Sequence, residues 1–546
     1  MTTASPAAAP PGPGTADQAA LAALAADPPR TVLVVSDLHL SAGRDPVTGR
    51  FDRIENFFAD DAFARWLAHH HPEAASGALA VLNGDTFDFL RVLATPRSVP
   101  ELEAWRDMLA SLGVQRTVQE LEASIDRKER RYGLGTEDFK CVWKLGEIVS
   151  GHPAFFAALR GWLRAGGRLL VVKGNHDVEL HWPLVRRGLR QVLGAAAPGG
   201  AGPRSVVFCD DFVRLSNLHL EHGHQYEDAT RVEGEPTLKV KQGDREVETI
   251  RLPSGSFVNR YLINSAEDIY PFLDNARPLS KSIRLILRRH PCNSLRLVFP
   301  AVHLVSRSWR ISGGSFGRSI LLFLNILGPI VGILAVALVL YLLGVLDPAG
   351  EGPGARAGGA VQRALHWLKG LGKYRYLLSI GGVALPYVLS AITEWREKHR
   401  RGRVLEDEFS DRAYHAFVQR HPGAAATPVY IVFGHTHNQD AQLVPSKDGS
   451  PGVMYLNTGT WTPLFIDDRP DLIGRAFRPF IRFDRGGPHG AYTHAYLQWN
   501  DERGAPDPIE ILGPVRLRGW EGAALIAAPG EAQPAEPGNA QPAVGP

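Results

Sequence analysis

The sequence predicts an α/β fold, because short strand-like runs alternate with segments of helical periodicity. Five apolar runs rich in Val, Ile and Leu are bounded by turn residues, which is typical of buried strands. They cover residues 31–35, 79–82, 169–172, 218–220 and 429–433. Residues 51–70, between the first two runs, predict a linking helix with a buried apolar stripe. That stripe consists of Phe57, Phe58, Phe63, Trp66 and Leu67.

Polar side chains of the types that bind metals follow every one of the five runs. In an open α/β sheet, ligands bind at the carboxyl ends of the strands, so we expect these side chains to converge. One such group, Gly174-Asn175-His176-Asp177, is weak evidence alone, because loops after strands often carry these residues. Five groups together indicate a site. The other four are Asp37 and His39, Asp85 and Asp88, His222 and His224, and His435 and His437.

In their order along the chain, these groups resemble the motifs of the calcineurin-like metallophosphoesterases. The matching blocks are Asp-x-His at 37–39, Gly-Asp-x-x-Asp at 84–88, Gly-Asn-His-Asp at 174–177, a single His at 222, and Gly-His-x-His at 434–437. The resemblance covers residues 31–90, 165–225 and 428–465. It implies a four-layer sandwich in which two β-sheets are flanked by helices.

The resemblance also implies a dinuclear metal site. Asp37, His39 and His437 are expected to hold one ion. Asn175, His222 and His435 are expected to hold the other, with Asp85 bridging the two. Carboxylate, imidazole and amide ligands suit Mn²⁺, which we take first, with Fe, Zn or Mg as alternatives.

His176 is the expected catalytic residue, acting on the leaving oxygen rather than binding a metal. Asp177 and Asp88 are expected to orient imidazoles or loop amides. The alternative for Asp88 is a helix cap. His224 is a further candidate for an orienting role, and His219 is expected to face away from the site.

Composition limits the remaining possibilities. The chain has 546 residues and a net charge of +3, so its overall charge does not indicate nucleic-acid binding. Its three cysteines, Cys141, Cys209 and Cys292, lie far apart, which excludes a disulfide framework and suits a reducing compartment.

The motifs divide the chain into parts. Residues 31–225 and 428–525 form the two parts of the predicted catalytic domain, interrupted by insertions at 91–150 and 226–427. The first is expected to be a helical cap over the site, with a solvated helical pair as the alternative. Residues 1–30 and 526–546 are rich in Ala and Pro and are expected to be disordered.

The second insertion contains two candidate transmembrane helices. Residues 320–346 are almost continuously apolar and long enough to cross a bilayer, with a buried core helix as the alternative. Residues 376–395 are a weaker candidate, which could instead be re-entrant or interfacial. Basic residues flank both segments and are expected to stay cytoplasmic. A membrane helical hairpin returns the chain to the side it left, which places the whole catalytic domain in the cytoplasm.

The expected function is therefore metal-dependent hydrolysis of a phosphoester or pyrophosphate bond at the cytoplasmic membrane. Residues 37–40 and 84–88 resemble the UDP-2,3-diacylglucosamine pyrophosphatases, which suggests a lipid-linked substrate. Two positions depart from that group: His176 replaces an Arg, and His224 replaces an Asp. The alternatives are a non-catalytic membrane-anchored scaffold and a nuclease. We expect no nucleic-acid partner, because no basic and aromatic strip lies near the motifs.

Overall fold

A computed structural model of the chain has a mixed α/β architecture in which two multi-stranded sheets are flanked by helices. The α/β class and the two sheets predicted above are thereby confirmed. The structure describes residues 13–195, 205–227, 230–232, 234–242, 245–267, 276–277, 429–444, 453–463, 465–466, 476–486 and 490–509.

The described strands are, in chain order, β1 (Thr31–Val35), β2 (Leu79–Asn83), β3 (Arg168–Val172), β4 (Val206–Cys209), β5 (Phe212–Leu215), β6 (Leu218–Glu221), β7 (Thr237–Gln242), β8 (Arg245–Ile250), β9 (Ala276–Arg277), β10 (Val429–Phe433), β11 (Gln439–Val444), β12 (Val453–Thr458), β13 (Phe465–Ile466), β14 (Pro479–Arg485), β15 (Tyr492–Asn500) and β16 (Ala505–Pro508). The first sheet has the order β16-β15-β14-β1-β2-β3-β4, and the second has the order β11-β12-β10-β6-β5. The pairs β1–β2, β2–β3, β3–β4 and β6–β10 are parallel. Parallel neighbours present their carboxyl ends at one edge.

The described helices are α1 (Pro13–Ala26), α2 (Asp60–His69), α3 (His71–Ala75), α4 (Val99–Ser111), α5 (Val118–Ala123), α6 (Glu129–Tyr132), α7 (Asp138–Gly151), α8 (Pro153–Arg164), α9 (Pro183–Val192), α10 (Ser254–Val258) and α11 (Asn264–Glu267). Short 3-10 helices follow β2 at Phe89–Arg91 and β3 at Val178–His181. A π-helical turn, Asn259–Ile263, joins α10 to α11.

Strand β1 shows why the predicted strands are apolar at every position. Val32 and Val34 belong to the core between the two sheets, whereas Leu33 and Val35 belong to the core between the first sheet and its helices. Successive side chains of a strand point to opposite faces, so a strand covered on both faces is apolar throughout.

The predicted helix over residues 51–70 is shorter than expected, since α2 begins only at Asp60. Phe63, Trp66 and Leu67 lie on its buried face as expected. Phe57 is buried in the preceding loop, and Phe58 is exposed. The carboxylate of Glu55 explains the loop, because it accepts hydrogen bonds from the backbone amides of residues 41, 43, 56 and 57.

The first predicted insertion contains helices α4 to α7. Leu102, Trp105 and Leu109 of α4 are buried in the core between the first sheet and its helices. The indole of Trp105 donates a 2.9 Å hydrogen bond to the Phe139 carbonyl at the start of α7. These helices therefore pack into the domain rather than forming a separate solvated pair. A role of this segment in shaping the substrate site stays a prediction.

Helix α1 corrects the expectation of a disordered tail over residues 1–30. Its Asp17 is buried, accepts a hydrogen bond from the Phe208 amide at 3.2 Å, and forms ion pairs with Arg186 and Arg190. Leu24 of the same helix joins the inter-sheet core. The Ala-rich composition concealed these anchors. Residues 1–12 and 526–546 of the predicted tails lie outside the described residues.

Within the described ranges, no helix combines the length and the apolar character needed to cross a membrane. The two predicted transmembrane segments, residues 320–346 and 376–395, lie outside those ranges.

The buried His152 leads to a pH-dependent prediction. Its Nδ1 atom lies 3.0 Å from Asp60 and its Nε2 atom lies 3.3 Å from Glu55. Burial alone would lower the pKa of His152, but the two carboxylates outweigh it and raise that pKa from 6.5 to about 9. The charged ring therefore stabilises the fold fully below pH 6.5, and this contribution is lost as the pH rises through about 9.

We expect His152→Gln to have a lower free energy of unfolding than the wild type. About 3 kcal/mol of this difference should depend on pH. Urea unfolding at several pH values from 6.5 to about 9 measures this difference. The difference in free energy of unfolding between the two proteins should decrease as the pH rises. A difference that stays constant over this pH interval would contradict the charged state assigned to His152.

Candidate metal centre

The predicted site residues come together where the carboxyl ends of strands from both sheets meet. In the first sheet, β1, β2 and β3 lead into Asp37 and His39, Asp85, and Asn175 and His176. In the second sheet, β6 leads into His222, and β10 leads into His435 and His437. The five predicted strands are thereby confirmed, and their ends lie together at one place.

Backbone hydrogen bonds hold the connecting loops in register. The Asp37 amide donates to the Gly84 carbonyl at 3.1 Å, and the His39 amide donates to the Asp85 carbonyl at 2.9 Å. Across the second sheet, the Gly434 amide donates to the His222 carbonyl at 3.0 Å. The loops are therefore parts of one framework.

Three overlapping sets of side chains have ligand atoms within 4.8 Å of one another. They are Asp37, His39 and His437; His39, Asp85 and His176; and Asp85, His222 and His435. The first set is the group expected to hold one ion. The third contains Asp85 and two of the three residues expected to hold the other. Asp85 occurs in two sets, as a bridging carboxylate must.

The backbone of these residues adopts an unusual conformation. Asp37, His39, Asp85, His435 and His437 have positive φ angles of 53°, 54°, 48°, 69° and 62°. Among the described residues other than glycine, Ser216 is the only further case. Left-handed conformations cost roughly 1–2 kcal/mol per residue and concentrate at functional sites. The fold therefore holds these five residues at an energetic cost.

Glycines allow the ligand side chains to approach the neighbouring backbone. A Cβ atom on Gly174 would lie 2.1 Å from Oδ1 of Asp85, and one on Gly434 would lie 2.3 Å from Oδ2 of Asp37. Both separations are too short for any side chain. The glycines of the Gly-Asn-His-Asp and Gly-His-x-His blocks are thus required by the positions of the two carboxylates.

Hydrogen bonds to the other ring nitrogen set the tautomers of three imidazoles. Nδ1 of His39 lies 3.3 Å from Asp88, and Nδ1 of His222 lies 2.9 Å from the Asn83 carbonyl. Both rings therefore present Nε2 to the site. In His435 the arrangement is reversed, because Nε2 lies 2.7 Å from the Glu227 carboxylate, which leaves Nδ1 for the site. Such outer partners orient metal-binding histidines.

The charges of the site are concentrated and buried. Burial, together with the neighbouring charge of Asp85, raises the pKa of Asp37, although His222 and His39 act against this. The pKa of Asp85 is well below its ordinary value, because His222 and His176 outweigh the effect of burial. Conversely, the carboxylates of Asp85 and Asp37 outweigh burial and raise the pKa of His222 to about 9. A divalent cation can replace the proton that these groups share.

Two buried ligand atoms support the fit to metal ions. Among the described residues, Oδ1 of Asn175 has no hydrogen-bond partner. Nε2 of His222 is paired with Oδ2 of Asp85 at 3.1 Å. A buried polar atom left without a partner is costly, and metal coordination would satisfy Oδ1 of Asn175. The donor set of carboxylate, imidazole and amide therefore fits two divalent ions.

Asp88 orients His176 and His39 rather than capping a helix. Its Oδ2 atom lies 2.8 Å from Nδ1 of His176 and 3.3 Å from Nδ1 of His39. Its side chain makes no capping hydrogen bond to the 3-10 helix that follows. The imidazole and guanidinium groups around it outweigh burial and hold the pKa of Asp88 well below its ordinary value. An ionised carboxylate only accepts, so Nδ1 of His176 carries the proton that faces Asp88.

The remaining candidates have defined places. Asp177 orients loop amides as expected, accepting from Gly174 at 2.6 Å and from Thr86 at 3.0 Å. His224 is buried, with its ring centroid 5.4 Å from that of His222, and its Nδ1 atom has no hydrogen-bond partner in the described part of the chain. His219 lies outside the three sets of ligand atoms and pairs with Glu221 at 2.9 Å.

Glu227 is a residue that sequence reasoning missed. It lies five positions after His222, yet it contacts His435, which follows the last predicted strand of the site. No motif includes Glu227. The next residue, Asp228, is also a carboxylate, so the sequence does not distinguish between the two. Thr230, also missed, lies 3.4 Å from the same ring nitrogen.

In comparisons with known proteins, no family model matches the chain and no curated protein matches it. The resemblance to the metallophosphoesterases therefore rests on the five sequence blocks alone.

Asp85 provides the test of the metal centre. We expect the purified protein to hold about two divalent ions per chain, as in dinuclear hydrolases. Asp85→Ala should lose both ions or nearly so, because Asp85 is shared by two sets of ligand atoms. Elemental analysis of the purified protein measures this. Asp107→Ala, which removes an exposed carboxylate of α4, is the matched control. Full metal occupancy in folded Asp85→Ala would contradict the bridging role.

Proposed function

We propose that the protein is a metal-dependent phosphoesterase that hydrolyses a phosphoester or pyrophosphate bond at a dinuclear site. The observation that carries this proposal is the convergence of seven carboxylates and imidazoles in three overlapping sets, with Asp85 and His39 each shared by two. Asn175 and the oriented ring of His176 lie in the loop that donates a 2.8 Å hydrogen bond to Asp85.

In this proposal, one group of residues binds the metal ions and His176 transfers a proton. Asp37, His39 and His437 would hold one ion, Asn175, His222 and His435 would hold the other, and Asp85 would contribute to both. Two bound divalent ions supply a nucleophile at neutral pH and neutralise charge on the phosphate oxygens. Mn²⁺ is the first choice, with Fe, Zn or Mg as alternatives.

His176 acts on the leaving group. Its Nδ1–H donates to Asp88, which orients the ring and stabilises its charged form. The opposite atom, Nε2, then delivers a proton to the leaving oxygen as the bond between phosphorus and that oxygen breaks. The oxygen of a water molecule forms the new bond to phosphorus. Side-chain exposure of 13% leaves His176 accessible to a substrate, whereas Asp88 is fully buried.

A panel of substrates tests the activity. Wild-type protein with added Mn²⁺ should hydrolyse at least one class among phosphomonoesters, phosphodiesters, nucleotide-sugar pyrophosphates and phospholipids, and Asp85→Ala should not. A metal-loaded, folded wild type that hydrolyses none of them would favour the non-catalytic scaffold. Cleavage confined to nucleic acids would favour the nuclease.

His176→Ala should keep both ions and lose rate by ~10²–10⁴-fold, the usual contribution of general acid catalysis. The loss should shrink for substrates with good leaving groups such as nitrophenol, because these need no proton. Steady-state rates on matched nitrophenyl and alkyl esters measure the difference. An equal loss on both esters would instead assign His176 to phosphate binding.

The proposal extends to the membrane surface and a lipid-linked phosphoester substrate. The apolar residues 320–346 and their basic flanks support it. Strands β6 and β10, which lie on either side of the second insertion, are hydrogen-bonded neighbours. If the insertion enters the membrane, it would therefore have to return the chain to the side from which it leaves, as a helical hairpin does.

Membrane attachment is tested by fractionation. The full-length protein should stay with the membrane pellet through an alkaline wash. In sealed vesicles of known orientation, protease should cut the catalytic domain only from the cytoplasmic side. Release by the wash, or cleavage only from the opposite side, would refute this topology.

A further inference from the structure

A buried ion-pair chain extends from the site residue Asp88 into the second insertion. The guanidinium of Arg91 donates from Nε to Oδ2 of Asp88 at 3.1 Å. Its Nη1 atom donates to the Ile54 carbonyl at 3.1 Å and also contacts the carboxylate of Glu267. The side chains of Arg91, Asp88 and Glu267 are all completely buried. Three buried charges in a row are costly unless each is paired.

The chain ends on the atom that orients His176. Oδ2 of Asp88 is contacted by three donors, which belong to His176, His39 and Arg91. The other oxygen, Oδ1, is buried and has no hydrogen-bond partner among the residues that the structure describes. The orientation of the Asp88 carboxylate is therefore set through one oxygen atom. Of its three donors, His176 and His39 are proposed site residues and Arg91 is not.

Glu267 is brought to Arg91 by a segment that the five motif blocks do not include. It is the last residue of α11, which lies in the second insertion after β7, β8 and α10. Hydrogen bonds from two residues fix this segment against the first insertion and the site. Arg260 donates to the carbonyls of Gly133 and Leu134 at 2.8 and 2.7 Å, and Asn264 donates to the Leu90 carbonyl at 2.7 Å.

We infer that Arg91 and Glu267 are positioning residues for the leaving-group step: Glu267 fixes Arg91, Arg91 fixes Oδ2 of Asp88, and Asp88 sets the ring of His176. This inference rests on the proposed function. It gives the start of the second insertion a part in the reaction beyond any attachment to a membrane. Neither residue belongs to the three sets of ligand atoms.

The test uses full-length Glu267→Gln, which keeps the shape of the side chain and removes its charge. Loss of an outer partner typically reduces activity by ~10–100-fold. We expect such a loss with alkyl phosphoesters and a clearly smaller loss with nitrophenyl esters, assayed at saturating Mn²⁺. In the His176→Ala background, Glu267→Gln should have no further effect on alkyl esters, because both changes disable the same step.

A second variant and a matched control separate positioning from stability. Glu267→Asp keeps the charge and should recover part of the alkyl-ester rate. Lys140→Met removes another buried charge, which forms ion pairs with Glu129 and Glu137 and lies in the first insertion. It should lower the melting temperature and affect both ester classes equally. A Glu267→Gln variant that behaves like Lys140→Met, or that adds fully to His176→Ala, would overturn the inference.

A spectroscopic measurement keeps the test independent of catalysis. The proton that His176 Nδ1 donates to Asp88 gives a downfield NMR resonance, identified by its absence in His176→Ala. In Glu267→Gln this resonance should shift or broaden, and in Lys140→Met it should stay unchanged. An unchanged resonance in Glu267→Gln would refute the inference even if no substrate is found. A shifted resonance in a protein without activity would support the positioning and refute the phosphoesterase function.

Discussion

The candidate metal centre depends on the carboxylate of Asp85, which lies where the two sheets meet. It faces His222 of the second sheet at 3.1 Å and accepts the His176 amide of the first sheet at 2.8 Å. A glycine at position 174 leaves the space that this carboxylate fills. A buried anion with these neighbours requires compensating positive charge, which the His222 ring supplies when it is protonated and which a divalent cation would supply instead. The ordering of five loops around one anion explains why so many of them adopt strained left-handed conformations.

The outer contacts complete this arrangement. Asp88, the Asn83 carbonyl and Glu227 each engage the ring nitrogen that faces away from the centre. The nitrogen facing the centre is thereby fixed in His39, His222 and His435. These partners come from different elements, so the protonation pattern of the site is a property of the whole fold rather than of any one motif.

Much of the site could be predicted because the sequence features that indicate it lie close together along the chain. A buried strand, a turn and a polar side chain occur within about ten residues, so Asp37, Asp85 and Asn175 could be found from the sequence. Glu227 and Glu267 could not, because their importance comes from partners that are distant in sequence. Helix α1 was missed for the same reason: its Asp17 is ordinary until the fold places Arg186 and Arg190 beside it. The boundaries of α2 failed because the Glu55 carboxylate, a tertiary anchor, replaces the first helical turns.

The parallel pairing of β6 with β10 joins residues 218–220 to residues 430–432. Pairing two strands that are so distant in sequence closes a long loop, which has an entropic cost. It also raises the contact order, which slows folding. The order of synthesis adds a consequence. Strands β1 to β4 can assemble with Asp37, His39, Asp85 and Asn175 in place while the residues that supply His435 and His437 are still being translated. The nascent chain therefore passes through a state without His435 and His437, so that any metal binding that needs these two residues would be a late event.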